Sequence, residues 1–503
     1  MLESPPPRYA SAALALTLLL GHWAAGLAET PIRVTNFADG ETIRYPVPLI
    51  RGELADRRCA GLTIVNRSSK RDTRQLTAPS CGGQFKALAE LVPGRNELVL
   101  KAGEHETELV LDYRPQTNPY VVRVIYLTDS SGQTAYQTQL EDDPQDYAAK
   151  LDTAMKLMQT FTAEQMRAAG FGRVTFNLEL DEDGRVEVYT VKGDHPAEFY
   201  YKMDGEGLFH HLYDWVDRRF PYSTGVNVVV TAFTRYDPAV NTLRGHTEIG
   251  GNGLALVGSG LLFTWPSGLG DVAGRFQDTR LLDCAKVTGD PVERGTFWSA
   301  ASSSIGATLH ELGHALGLFH CRDPLGIMIR GFDHFNRVFV LVEAPHRGTG
   351  RSIRFTDDQT PRWAPVSTKA LKPTRYFALD AKPYQEGNQP RLTVRQKTRQ
   401  MLIEASHGVR FIGYDNDRTT MTFNQFLDAP KPPKQVGFNL DELRRIVGSD
   451  RIRVRIIDDQ GHLVMTELDI AASAAAGEKA GASAVDEGPD AEAEEPGKTS
   501  PSS

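Results

Sequence analysis

The sequence predicts an α+β chain, with a central segment of alternating strands and helices and β-rich segments before and after it. Three observations predict this. Residues 30–115 break into short β-rich runs (IRVTNFADGETI, PLIRGEL, GLTIVN, NELVLKAGEHETELVLDY) separated by Gly, Asp, Asn and Pro turns. From residue 120 the period changes, and apolar strands alternate with stretches of helical spacing. Between 395 and 470 the β-rich runs return (RLTVRQ, MLIEAS, GVRFIGY, TTMTFNQF, RIRVRIIDDQGHLVMTELDI), with one short helix near 440–446.

The elements follow in order. Residues 1–28 read as a signal peptide: Arg8 supplies the basic start, 10–20 the apolar core, and Gly26-Leu27-Ala28 a small-residue cleavage site before Glu29. The apolar run is too short and interrupted for a stable membrane span, so an uncleaved anchor is the weaker alternative. No cysteine follows it to carry a lipid. The chain is therefore expected to be secreted or periplasmic. Residues 29–116 suit an immunoglobulin-like β-sandwich, and 114–119 (RPQTNP) a linker. Residues 117–348 form the central domain. Its predicted elements are a strand at 121–128, a helix over 146–166, a hairpin of 173–180 with 185–191, a helix over 208–219, strands at 226–233 and 253–263, and a helix over 296–316. That last helix carries an apolar stripe of Trp298, Ala301, Ile305, Leu309, Leu312 and Leu316. Residues 349–394 connect, either separately or as part of the central domain. Residues 395–470 form the β-rich C-terminal domain, and 471–503, rich in Ala, Glu, Gly, Pro and Ser, cannot bury a core and are expected to be a disordered acidic tail.

Composition sets broad limits. The 503 residues suffice for several domains, and 40% hydrophobic with 24% charged residues is ordinary for globular protein. The net charge is −8, and the tail alone, with seven acidic and two basic side chains, carries most of it. The charge gives no footing for nucleic-acid binding. In an oxidising compartment the four cysteines allow three pairings. Cys59–Cys81 and Cys284–Cys321 are favoured, because each then closes within one domain. Cys321 also stays open as a fourth ligand or a latency thiol.

The functional signal is concentrated in residues 310–320, HELGHALGLFH, which fit H-E-x-x-H-x-x-G-x-x-H. Residues four apart share a helix face, so His310 and His314 can reach one ion. Gly317 stands where the helix should end, and the turn brings His320 in from another direction. Three neutral imidazoles leave one zinc position open for water, the arrangement of a catalytic rather than a structural Zn2+ site. Glu311, beside the ion rather than on it, is placed to act as general base, and zinc would stabilise the developing oxyanion.

Met328, eight residues after His320 in Gly326-Ile327-Met328, stands where a Met-turn would pass beneath the metal. With the motif, it makes the chain resemble the metzincin clan of zinc metallopeptidases. The stretches GHTEIGGNGLALVGSGLLFTWP (245–266), RGTFWSAASSSIGATLHELGHALGLFHC (294–321) and DPLGIMIRGFDHFNR (323–337) are similar to a little-characterised zinc metallopeptidase family in that clan. The resemblance covers mainly residues 120–345. It implies a metzincin-like catalytic domain (a mixed twisted sheet, an active-site helix and a Met-turn) and a polypeptide substrate. It also implies a substrate-pairing edge strand, for which Gly253, Leu254, Ala255 and Leu256 are the candidates, against a plain core strand. It implies no particular substrate.

Other readings stand beside these. His246, His210 and His211 read as surface or core residues. No tyrosine follows Met328 closely enough to add a ligand, Glu141-Asp142-Asp143 lacks calcium-loop spacing, and no cysteine-switch motif is present. The flanking β domains are open to a glycan or protein ligand, or to a bracing role. The leading expectation is a secreted zinc endopeptidase. The alternatives are a non-catalytic adhesion or glycan-binding protein with structural zinc, which has no need of Glu311, and a zinc amidase acting on a non-protein amide.

Overall fold

The computed structural model describes residues 31–290, 292–385 and 388–471. The expected signal peptide, and the tail beyond Ala471, lie outside the described residues. Content is mixed α+β with strands predominating, and no described helix is long and apolar enough to cross a membrane.

The first eight strands are β1 (Ile32–Val34), β2 (Glu41–Ile43), β3 (Leu49–Leu54), β4 (Gly61–Asn66), β5 (Gln75–Cys81), β6 (Gln84–Leu88), β7 (Gly94–Ala102) and β8 (His105–Tyr113). They are joined in the order β1-β3-β6-β5-β4-β7-β8-β2. β5 pairs with β4 along most of its length and with β6 at Ser80 and Cys81, so it links two halves that enclose Ile50, Phe85, Leu98, Leu100 and Leu111. The predicted linker after β8 is bolted down instead. Arg44 Nε donates to the Arg114 carbonyl at 2.8 Å, Thr117 N–H to Leu379 O at 3.1 Å, and buried Asn118 Nδ2 to Arg375 O at 2.9 Å. Backbone groups satisfied in this way leave little freedom for a hinge.

A second sheet follows. Its elements are β9 (Val121–Thr128), α1 (Tyr147–Ala168), β10 (Asn177–Leu178), β11 (Val188–Lys192), α2 (Ala197–Tyr200), α3 (Gly205–Asp217), β12 (Gly225–Thr231), β13 (Arg235–Asp237), β14 (Thr242–Arg244), β15 (Glu248–Gly251), β16 (Leu254–Gly258), α4 (Val272–Arg275) and α5 (Phe297–Ala315). The strand order of the sheet is β10-β9-β12-β16-β15, with β11 also on β9, and its pairs are parallel except β15–β16; β13 and β14 form a separate antiparallel pair. Alternation sorts the two faces. Val122, Val124, Tyr126, Val226, Val228 and Val230 pack with α1 and α5, whereas Ile125, Leu127, Val229, Leu254 and Leu256 pack with α3. The expected hairpin of 173–180 with 185–191 is reduced to one bridge, Leu180–Val186, because both flanking strands pair in parallel with β9 instead.

Helix α5 differs from its expected amphipathic form. Every residue from Phe297 to Ala315 except Ser304 is buried. Its small side chains admit close neighbours on all sides: Ser302 Oγ donates to Asp333 O at 3.1 Å and Ser303 Oγ to Ser299 O at 2.9 Å. It is a central helix with no solvent face.

The chain continues through β17 (Val342–Glu343), β18 (Ile353–Arg354) and α6 (Pro365–Leu371). The C-terminal strands are β19 (Arg391–Arg395), β20 (Gln400–Glu404), β21 (Val409–Asn416), β22 (Thr419–Gln425), β23 (Gln435–Asn439), β24 (Arg451–Asp458) and β25 (Leu463–Asp469), with α7 (Leu440–Val447) between β23 and β24. They form sheets β19-β20-β23 and β22-β21-β24-β25 around Met401, Ile412, Tyr414, Leu443 and Val454.

Candidate metal centre and its surroundings

The three histidines converge. Ring nitrogens of His310, His314 and His320 all lie within 4.8 Å of one another, the one such group of metal-binding side chains among the described residues. His314 Nε2 stands 3.0 Å from His310 Nε2 and 3.2 Å from His320 Nε2. Two Zn–N bonds of 2.0–2.1 Å at the tetrahedral angle separate their nitrogens by about 3.3 Å, so the spacing fits zinc.

Hydrogen bonds set the ring orientation. His310 Nδ1 donates to Ile327 O at 2.7 Å and His314 Nδ1 to Leu318 O at 2.9 Å. A carbonyl only accepts, so the proton of each neutral ring sits on Nδ1, and Nε2 offers a lone pair to the shared point. Burial favours the neutral form: it pushes His310 down to about 4 and His314 well below the usual imidazole range, the latter reinforced by His310 and His320.

The helix ends as the motif requires. Gly317 has φ +87°, its N–H donates to His314 O at 2.9 Å, and Leu318 N–H returns to Gly313 O at 2.9 Å, the paired bonds of a Schellman cap. That reversal turns the chain so that His320 faces the helical pair. Glu311 is buried, and its carbonyl lies against Gly250 of β15, where a Cβ would overlap it.

Met328 is fully buried beneath Gly313, the residue between the two helical histidines. A Cβ at Gly313 would overlap Met328 Sδ, well inside van der Waals contact distance, and lie 3.3 Å from Trp363. The turn bearing Met328 is braced from the expected connecting region. Ile327 N–H donates to Arg362 O and Arg362 N–H to Leu325 O, both at 2.9 Å, while the Arg362 guanidinium holds Asp323 at 2.6 and 2.9 Å. Phe332 packs edge-on against His310, with centroids 5.2 Å apart. Gly313→Ala should destabilise the fold by about 1–3 kcal/mol through overpacking, more than the gain of up to about 1 kcal/mol in helix propensity. Urea unfolding of this variant, and of the double variant with Met328→Ala to make room, measures the clash; an unaffected single variant would contradict it.

Two expectations are corrected. Gly253–Leu256 is not the sheet edge: Asn252 and Gly253, both at positive φ, form a two-residue hairpin turn, and β16 is paired on both sides. The last strand of the sheet path is β15, which the turn folds back along β16 with Gly250 against α5. The expected disulfides are not formed, and Cys59, Cys81, Cys284 and Cys321 are free. Cys321 is buried with its sulfur against Gly326, Cys284 is exposed, and Cys59 Sγ donates to Gly61 O at 3.0 Å. Nor do the other histidines join the centre. His246 is half-buried with its Nδ1 against Gly258, and His210 lies near Glu206 on α3. Beside His320 opens a cleft of about 340 Å³, lined also by Cys321, Arg322, Ile329, Arg330 and Thr419.

The sequence reading missed Gly313, Gly250, Arg362 and the C-terminal residues near His320. Gly313 had a local signal, as a glycine inside a helical motif; the others are brought in by long-range packing.

Comparison with known proteins gives three findings. A family model described as "Putative peptidase family" matches residues 31–410. Two curated proteins named "Putative zinc metalloproteinase" are similar: one of Schizosaccharomyces pombe, 30% identical over 334 residues covering 62% of this chain and 54% of its own, and one of Saccharomyces cerevisiae, 25% identical over 351 residues covering 62% and 49%. The chain thus spans about half the length of these relatives. Among solved structures, OgpA of Akkermansia muciniphila, crystallised as a catalytically inactive form with an O-glycopeptide, aligns with a TM-score of 0.42 at 16% identity, covering 70% of this chain and 93% of that one, a likeness too low to transfer anything.

Proposed function

The chain belongs to the peptidase family whose model spans residues 31–410, and on that premise we propose that it is a secreted, zinc-dependent endopeptidase of metzincin type. The observation that carries this reading is the convergence of three imidazole Nε2 atoms, two of them oriented by Nδ1–carbonyl bonds, beside a buried glutamate. A zinc ion held by His310, His314 and His320 would supply Lewis acidity toward a peptide carbonyl and toward water. Glu311 takes the proton from the attacking water and hands it to the departing amide nitrogen, acting first as base and then as acid. Met328 supports the helix turn that carries two of the ligands. The outer edge of β15, which packs against α5 at Glu311, is the surface on which an extended substrate adds as a further strand.

The test is incubation of the mature protein with a diverse peptide library, with and without chelator, read by mass spectrometry. Chelator-sensitive internal cuts are expected. Their absence from zinc-loaded protein would overturn the peptidase reading in favour of an amidase or a binding protein.

A further inference from the structure

His310 and His314 owe their placement to one helix, but His320 comes from a loop, where no regular structure sets its direction. That loop rests on the C-terminal β unit along its length. Gly317 O accepts Arg455 Nη1 at 2.8 Å, and the Phe319 ring lies 4.4 Å from the Arg455 guanidinium. His320 N–H donates to Arg418 O at 3.0 Å, and His320 O accepts Thr420 N–H at 3.0 Å. These two bonds make a one-residue parallel bridge between His320 and Thr419. Arg418 and Thr419 stand at the turn of the β21–β22 hairpin, whose two tip residues, Asp417 and Arg418, have φ of 44° and 62°. A two-residue turn of this hand requires positive φ at both positions and is normally filled with Asn or Gly. Arginine enters that region only when its surroundings hold it there, and such residues gather at functional sites. Here the turn aims the Arg418 carbonyl at the His320 amide.

We infer that the β21–β22 hairpin is a positioning element of the metal centre, fixing His320 through the backbone of Arg418 and Thr420. The inference rests on the zinc reading above. It extends the site to residues 418, 420 and 455, all beyond the stretch that the family model matches. The C-terminal unit is then neither a bystander nor a separate binding module, since it supplies the orientation of the third ligand.

The experiment lengthens the tip in the full chain by two glycines between Asp417 and Arg418, leaving both strands intact and freeing the turn. The control is the same insertion between Gly103 and Glu104, a distant hairpin turn where nothing approaches the glycine. Zinc affinity is read by competition with a chromophoric chelator, and thermal midpoints are taken on the zinc-free proteins. Groups that orient metal ligands are typically worth 10–100-fold in affinity, so the tip insertion should weaken zinc binding by about that factor. The control should bind as wild type, and the two midpoints should agree. Wild-type affinity in the tip variant would overturn the clamp and leave the zinc site standing. A wild-type protein that takes up no zinc would overturn the zinc site, and the clamp with it. Hydrogen exchange on the unmodified chain gives a second measurement that needs no variant. The His320 amide should be protected even without metal, and fast exchange there would equally overturn the clamp.

Discussion

Glu311→Gln is expected to lower kcat by about 10²–10⁴-fold, the range that general acid–base groups contribute, with zinc content unchanged. Glutamine keeps the shape of the side chain and removes its charge and basicity, so the buried turn, the contact of the Glu311 carbonyl with Gly250 and the ring orientations of His310 and His314 should all survive. Glu311 is buried in the last turns of the helix that carries His310 and His314, and the Nδ1 bonds of those two rings run to the Ile327 and Leu318 carbonyls. Loss of rate should therefore appear in kcat and in kcat/KM alike, the signature of an interaction made in the transition state. Metal analysis of the same sample separates this from a damaged site. An inactive variant that has also lost zinc would point to a structural role for Glu311. An active variant that retains zinc would remove Glu311 from the mechanism altogether.

What the sequence made legible was local. Helix α5, which carries two of the three histidines, was expected over 296–316 and spans Phe297–Ala315, because its stop signal, Gly317, acts within one turn. The short C-terminal helix likewise matches at Leu440–Val447, capped by the Asn439 side chain and ended by Gly448 in the left-handed region. The three histidines meet for the same reason, since spacing on a helix and across its cap is fixed by geometry. What failed depended on partners. The sequence showed an apolar stripe on α5, yet its serines and glycines outside that stripe are buried too, all but Ser304, because their small size lets β15 and the segment after Met328 approach closely. The end of the sheet lies one strand away from the expected Gly253–Leu256 because Asn252-Gly253 is a hairpin turn, and only pairing shows which of its two arms ends the sheet. The brace of Arg362 on Asp323 and the bridge from His320 to Thr419 join residues far apart in sequence, and no local pattern announces them.

Arg455→Met should cost about 3–5 kcal/mol of stability, the range for breaking a buried ion pair from one side. Arg455 and Asp415 are 1% and 0% exposed at their side chains, with paired contacts of 2.8 and 3.0 Å. Removing the guanidinium leaves a carboxylate with neither water nor counter-charge, and also strips Thr420 Oγ1 and the Gly317 carbonyl of donors at 2.7 and 2.8 Å. Adding Asp415→Leu removes the stranded charge, so the double variant should recover much of the loss even though it contains one more substitution. Recovery should be incomplete, because an unsatisfied buried polar group still costs about 1–3 kcal/mol. Urea unfolding of the two single variants and the double variant closes the cycle. A single variant as stable as wild type would mean that water reaches Asp415 and that the pair is not sealed. A double variant worse than Arg455→Met would place the cost in the Gly317 and Thr420 bonds rather than in the charge. That outcome would shift the weight of Arg455 from holding the C-terminal sheet together to holding the end of α5 against it.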